Sequence, residues 1–470
     1  MNRFLNLPHE IEISQILQTQ FMNKHLLTFS IFCSAILIHG KIEAQTNGQK
    51  CGFDRMIDYQ ESLYPGYKEN VNATYRSFLD RANNHQTTAS KTTLVIPVVF
   101  HVVWNSASPL QNLDDSVLLE QIAVLNEDFS RSNADAANTR TEFLPIVSSA
   151  DIQFELACKD PNGNNTNGIV RVETSTTFGG GFLPDMASIS KIQNTVDGGS
   201  DAWNTAEYLN IWIGDINGGA ASPSLLGIAT PPAGLSNWPA NSIPPELTDG
   251  AIIQFSSFSR NNPIAASGFT VIGRTVTHEV GHYLGTRHCA ENTFGGFFGS
   301  ICGDDDGLTD TPNCDQSSQG CDMARNSCVD NIPGTIGDLP DMVENYMDYS
   351  NEDCQNSFTV GQTTIMRNVL QNERAGLLTS PALNNCLPTA IILNNSSNEL
   401  NIYPNPSNGT FTVNHSGTSN ILIRNSLGQV ISPTTITKEN TTEIKIETKG
   451  IYFVTIESNK NSITKKVIVQ

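Results

Sequence analysis

The chain is poor in positive charge. Its 27 lysines and arginines face 47 aspartates and glutamates, a formal net charge of −20 over 470 residues. That balance argues against a nucleic-acid partner, and nowhere do basic residues cluster with interleaved aromatics. Long apolar runs are lacking too. The mostly apolar stretch 26–38 is too short for a comfortable membrane span. Preceded by Lys24 and followed by the small residue Ala44, it has the layout of a signal peptide. Met22 is then the expected true start, and residues 1–44 are leader and signal. A lipoprotein anchor at Cys33 is disfavoured, because Phe32 stands where a small residue is wanted. The length exceeds one ordinary core and implies two or three domains.

What the chain does have is a dense stretch of histidine chemistry. Residues 277–289 read THEVGHYLGTRHC. His278 and His282 are four apart, so a helix stacks them on one face, with Glu279 beside the first. Gly285 suits a left-handed helix end, which carries no Cβ penalty for glycine. The chain can then turn back to offer His288 as a third nitrogen. Three neutral imidazoles and an open position describe a catalytic zinc site, since a structural one is closed by four protein ligands. In such a site zinc lowers the pKa of water and polarises a carbonyl, while Glu279 takes the water proton and hands it to the leaving amine.

Further strands and helices can be read around this stretch. The β-branched run 93–104 suits a strand covered on both faces, and His101 within it reads as structural. Asp114 offers an N-cap to a helix whose apolar residues are Leu118, Ile122, Leu125 and Phe129. Strands are expected at 152–158, 169–172 and 251–255, and at 209–213 as a half-buried, alternating one. Residues 45–92 are polar, with a short helix near 71–81, and read as a propeptide ahead of a catalytic domain at 93–388. The segment 302–312 packs Asp304, Asp305, Asp306 and Asp310 into a glycine-containing loop. Such oxygens suit calcium, the alternative being a solvated acidic loop. Residues 389–399 read as a linker, and 400–470 as short strands of a small β-sandwich.

The histidine segment resembles the extended zinc motif of the metzincin metallopeptidases. Asn345-Tyr346-Met347-Asp348-Tyr349 resembles their methionine turn, and Phe358-Thr359-Val360-Gly361-Gln362 with Met366 fits their exit helix. Within that group the text from about 96 to 366 is similar to the pappalysin family, particularly its small bacterial members. The resemblance implies an α+β catalytic domain, a twisted mixed sheet with an active-site helix followed by an irregular, disulfide-rich C-terminal subdomain. It further implies a monomeric zinc endopeptidase acting on proteins or peptides, whose cleft is lined by a strand edge that pairs with substrate. Composition does not say which strand that is. Met347 would lie beneath the metal, and the Tyr349 hydroxyl would stabilise the oxyanion or, alternatively, only pack. Asp304, Asp306 and Asp310 would hold calcium.

Of the 10 cysteines, eight fall in the expected mature enzyme, and an even number in an exported protein implies disulfides. Spacing alone cannot assign them. The resemblance implies Cys302–Cys328 and Cys321–Cys354; Cys289–Cys314 and Cys158–Cys386 are what then remains. Cys51 is odd. A thiolate is a strong zinc ligand, and Gly52 would let the backbone approach the cleft, so Cys51 is a candidate latency switch. Similar proenzymes of the family carry such a cysteine. Activation would then cut between the propeptide and Thr93, with Arg81 and Lys91 as the exposed basic candidates.

In the tail, IYPNPSNGTFTV, NSLGQV and GIYFVTI resemble the C-terminal sorting domain of type IX secretion. That resemblance implies passage through the periplasm, engagement of outer-membrane secretion machinery, and release to the medium or cell surface. A carbohydrate- or protein-binding module is the other reading of such a tail. A catalytically silent zinc-containing binding module is the alternative for the whole chain, and the intact Glu279 speaks against it.

Overall fold

Strand β1 (Leu94–Asn105) is the spine of the main sheet, and the eight residues from Ile96 to Val103 are all buried. It pairs in parallel with β3 (Ile152–Leu156), β4 (Ile169–Thr174) and β5 (Leu209–Gly214). β7 (Ala251–Gln254) continues the parallel order on β5, and β6 (Gly227–Ala229) closes that edge antiparallel to β7. A separate short ribbon joins β2 (Val147–Ser148) to β8 (Phe358–Thr359). This computed structural model describes residues 50–84, 92–180, 184–220, 223–233, 248–266, 270–290, 302, 306–386, 401–414, 419–425, 430–437, 441–458 and 461–470. The expected signal segment 1–44, Lys91, Asp304, Asp305 and the linker 389–399 lie outside the described residues.

The chain divides into two units, 1–386 and 387–470. In the first, helices α1 (Phe53–Leu63) and α2 (Tyr67–Asn84) precede the sheet. Helix α3 (Asp115–Phe129) starts at Asp114, whose carboxylate accepts from the Ser116 amide at 2.8 Å. It buries Leu118, Leu125 and Phe129 against Ile96, Val98 and Phe100 of β1. Helix α4 (Arg274–Tyr283) contributes Val276 and Val280 to the same core. Helix α5 (Val360–Gln371) opens with a capping box between Thr359 and Gln362.

β5 departs from the half-buried expectation, because all six of its residues are buried. It lies between β1 and β7, both parallel to it, where crossovers cover both faces. Its polar member Asn210 is satisfied inside: its Oδ1 accepts from the Trp203 amide at 2.8 Å and meets His101 Nε2 at 3.0 Å. His101 stacks on Trp212 with ring centres 5.0 Å apart. Burial pushes its pKa down to about 4, so it is a neutral core residue.

The polar segment ahead of the sheet is more ordered than its composition suggests. α1 was not foreseen, and α2 is longer than the expected 71–81. Both helices pack partly on each other and partly on the residues that follow. Tyr75, Phe78 and Ala82 of α2 pack on Ile365 and Val369 of α5, and Cys51, Phe53, Ile57, Tyr67 and Val71 form a cluster that touches Tyr349. Arg81 is not an exposed processing site, since it is half-buried and paired with Glu373 at 2.7 Å.

Between Ala290 and Phe358 the described residues hold no helix or strand beyond isolated bridges. Disulfides join Cys302–Cys328, Cys321–Cys354 and Cys158–Cys386. Cys289 and Cys314 are free and buried, which corrects the fourth pairing. Both belong to the main apolar core. There desolvation, with the nearby Asp348 carboxylate, pushes both thiols well above their ordinary pKa, and they pack as small apolar groups.

The second unit is all-β. One antiparallel sheet holds β9 (Asn401–Tyr403), β10 (Thr410–Asn414) and β13 (Thr441–Lys445). The other holds β11 (Ser419–Asn425), β12 (Val430–Thr437), β14 (Gly450–Ser458) and β15 (Asn461–Val469). Phe411, Val413, Ile423, Val454 and Val467 are among the residues of its core. β9 and β12 are additions to the five strands read from the sequence.

Candidate active site

Helix α4 carries the site, and both its ends are fixed from elsewhere. Its N-cap Gly273 has φ 93° and no capping side chain. Glu352 caps it across the fold: Oε2 accepts from the Ile272 amide at 2.6 Å, and Oε1 from the Thr275 amide at 2.8 Å. A carboxylate at a helix N-terminus also meets the favourable end of the dipole. At the other end Gly285 adopts φ 92°, and its amide donates to the His282 carbonyl at 2.9 Å. A Cβ there would meet Val369 Cγ2 at 2.8 Å, so conformation and space both require glycine.

That turn brings His288 onto the helical pair. The three Nε2 atoms lie 3.1 Å (His278–His282), 3.0 Å (His282–His288) and 3.3 Å (His278–His288) apart. His278 Nδ1 donates to the Tyr346 carbonyl at 2.7 Å, and His282 Nδ1 to the Thr286 carbonyl at 2.9 Å. Carbonyls only accept, so these rings carry their proton on Nδ1 and turn a lone pair toward the shared centre. Lone pairs so close need a cation between them. Nitrogens bound tetrahedrally to zinc at about 2.0–2.1 Å stand roughly 3.3 Å apart, and the observed triangle fits that ion. Desolvation, then the other imidazoles, pushes His278 down to about 3 and His282 well below the ordinary range, leaving neutral imidazoles able to take a metal.

Met347 is fully buried beneath α4. A Cβ on Gly281 would come within 2.5 Å of its sulfur, which explains a glycine between the two helical histidines. Tyr349 is half-buried, its ring 4.8 Å from that of His288 and 5.9 Å from that of His278. Glu279 is wholly buried and reaches edge strand β6, where a Cβ on Gly227 would lie 2.7 Å from Oε1. That Oε1 has no hydrogen-bond partner. Burial pushes the Glu279 carboxyl up to about 8, with the Cys51 contact acting the other way.

Residues 50–53 occupy the mouth of the site. Cys51 Sγ belongs with the three histidine nitrogens to one group of ligand atoms mutually within 4.8 Å, and lies 3.6 Å from Glu279 Oε2. The segment adds to β6 as a parallel bridge, with Leu226 N donating to Lys50 O and Gly52 N to Gly227 O, each at 2.8 Å. A Cβ on Gly52 would meet Ile228 at 2.7 Å, so only glycine passes so close. Phe53 stacks on His282, rings 4.0 Å apart and 6° from parallel. Lys50 Nζ donates to the carbonyls of Tyr349 at 2.6 Å and Ser350 at 3.2 Å, in a pocket bordered by Asp348 and Glu352.

The acidic loop behaves differently. Asp310 accepts from the Gly361 amide at 2.7 Å, at the start of α5, and Asp306 from the Leu308 amide at 3.0 Å. Among the described residues the groups that could hold a metal are Cys51 with the histidines, and Cys321, Asp353 and Cys354. Cys321 and Cys354 are bonded to each other. Sequence reading also missed Glu352, Lys50, Phe53 and strand β6. Their roles arise from pairing with distant segments, 77–80 residues away for Glu352 and 299 for Lys50, and nothing local marks them.

Comparisons with known proteins follow the same division. A family model described as pregnancy-associated plasma protein-A matches residues 193–371, and one described as a secretion system C-terminal sorting domain matches 401–470. An extracellular metalloprotease of Uncinocarpus reesii is 30% identical over 290 residues, covering 61% of this chain and 80% of that protein. One of Colletotrichum graminicola is 29% identical over 288 residues, again 61% and 80%. Mature mirolysin of Tannerella forsythia, solved with a cleaved peptide, aligns with TM-score 0.52 and 38% identity, covering 64% of this chain and all of that one. A promirolysin mutant of the same organism aligns with TM-score 0.56 and 34% identity, covering 72% and 100%.

Proposed function

The chain belongs to the pappalysin family of metallopeptidases and ends in a secretion sorting domain, and on that premise we propose an exported zinc endopeptidase made as a latent proenzyme. Residues 45–92 are its propeptide, 93–388 its catalytic domain and 400–470 its sorting domain, acting as a monomer on peptide or protein substrates. The observation that carries this reading is the convergence of three imidazole Nε2 atoms beside buried Glu279, with the Cys51 sulfur in the same group.

His278, His282 and His288 would hold zinc, which when bound would supply a Lewis acid for activating water and polarising a carbonyl. Glu279 takes the proton of the attacking water and returns it to the leaving nitrogen. Its buried Oε1, which has no hydrogen-bond partner, suits a group that must take and hold a proton between those steps. Tyr349 donates its hydroxyl to the developing oxyanion. Edge strand β6 pairs with substrate backbone, and the Lys50 pocket, bordered by Asp348 and Glu352, takes a basic side chain. In the proenzyme the Cys51 thiolate would serve as a further ligand beside the histidines, while Lys50 and Gly52 occupy the strand edge. Calcium in the loop of Asp304, Asp306 and Asp310 belongs to the same reading as a structural ion.

Glu279→Ala tests the core of it. The variant is expected to retain zinc and fold while losing peptide hydrolysis by several orders of magnitude. Comparable turnover by the purified variant and its parent would refute the mechanism.

A further inference from the structure

One carboxylate behind the site hydrogen-bonds both to helix α4 and to the turn that carries Met347. Asp128 lies near the end of α3 and is buried. Its Oδ2 accepts from the Thr277 hydroxyl at 2.7 Å, and its Oδ1 from the Tyr346 hydroxyl at 2.8 Å. Thr277 immediately precedes His278 on α4. Tyr346 immediately precedes Met347, and its own carbonyl receives His278 Nδ1–H. Asp128 therefore grips the helix that carries His278 and the turn that aims it.

The charge is compensated locally. Arg274 lies 3.6 Å from Asp128 and forms two hydrogen bonds with Asp135, at 2.6 and 2.7 Å. Its guanidinium also sits over the Tyr346 ring, 5.5 Å from the centroid. Burying a carboxylate is costly, and replacing such ions by apolar groups of similar volume is often neutral or stabilising. A buried acid that spends both its oxygens on the two mounts of one metal ligand fits a role in orientation. Partners beyond the ligands themselves fix ring direction and tautomer, and their loss weakens metal binding.

We propose that Asp128 is a positioning residue for the metal ligand His278, acting through Tyr346 and Thr277. This rests on the zinc-peptidase reading of the site. Without Asp128 the Tyr346 hydroxyl loses its acceptor, the methionine turn is free to shift against α4, and the carbonyl no longer holds the His278 ring in one direction.

The test uses the full-length chain and reads zinc retained against increasing chelator, by atomic absorption, beside the melting temperature. Asp128→Leu and Tyr346→Phe are compared with Leu118→Val, a core change on the same helix but away from this network. The two network variants are expected to lose half their zinc at ten- to hundredfold lower chelator. Leu118→Val should lower the melting temperature and leave the chelator midpoint unmoved. Adding Tyr346→Phe to Asp128→Leu should cost little more, because both cut one path. Network variants that melt lower yet keep the parental midpoint would reduce Asp128 to packing and overturn the proposal. Should Asp128→Leu not fold, Tyr346→Phe decides alone, since it removes only a hydroxyl. A parent chain that takes up no zinc overturns the peptidase reading and this inference together, whereas equal zinc retention by parent and variants overturns the inference alone.

Discussion

Consider Cys51→Ala in the full-length chain. The substitution removes the sulfur grouped with the histidine nitrogens but leaves the rest of the prosegment in place. Backbone hydrogen bonds still tie Lys50 and Gly52 to β6, and Phe53 still stacks on His282. Phe53, Met56, Ile57, Tyr67, Val71 and Phe78 stay buried, each worth about 1.5–3 kcal/mol. The prosegment therefore remains attached, and what changes is how often the metal position opens. A four-ligand zinc site yields roughly 10–16 kcal/mol, or about 3–4 kcal/mol per ligand. Losing one ligand at about 1.4 kcal/mol per decade raises the open fraction on the order of 10²–10³-fold. The assay is the initial rate on a quenched fluorescent peptide, with gels confirming that the prosegment is still uncut. Activity should rise by that factor, or the variant should process itself far sooner than its parent. A variant as latent as the parent, with prosegment attached, would mean that strand pairing and Phe53 block the cleft and the thiol does not.

Other consequences can be measured. Tyr349→Phe removes one hydroxyl and should lower kcat by about ten- to a thousandfold with little change in KM; an unchanged kcat would leave Tyr349 as packing. If the loop of Asp304, Asp306 and Asp310 binds calcium, chelation too weak to strip zinc should lower the melting temperature, and added calcium should restore it. Identical melting curves would favour a loop that serves only to cap α5. His101 has its pKa lowered to about 4 by burial, so between that value and about 6.5 the unfolded chain binds more protons. Its contribution to stability is present above pH 6.5 and is lost as pH falls, by at most about 1.4 kcal/mol per unit. His101→Gln should flatten that acid slope in denaturant titrations, and an unaltered slope would assign it to other groups.

The parts of this protein that were legible in the sequence carry their cause locally. The histidine helix was readable because His278, Glu279, His282, its terminating Gly285 and His288 fall within eleven residues. β1 was readable from a β-branched run, and α3 from Asp114 and its apolar spacing. β6 was not, since Gly227-Ile228-Ala229 becomes a strand only by lying on β7. β5 misled because Asn210 looked solvent-facing, whereas Trp203 and His101 satisfy it inside. α1 escaped because its buried face, Phe53, Met56, Ile57 and Gln60, is completed by the catalytic unit. Cys289 and Cys314 were paired by counting, and counting cannot tell a bridge from two thiols in a core.

Asp128 lies between these cases. On α3 it sits beside Leu125 and Phe129, so an ionisable group interrupts the face that packs on the sheet. That interruption is visible in one dimension, and physical chemistry says a buried carboxylate must have partners. Who they are is not visible, because Thr277 and Tyr346 lie 149 and 218 residues away. The ligands of a metal can thus be contiguous while the groups that aim them are scattered. A search of such sequences for acids set into apolar helix faces would recover candidates for those groups, and the fold would then say which metal ligand each one serves.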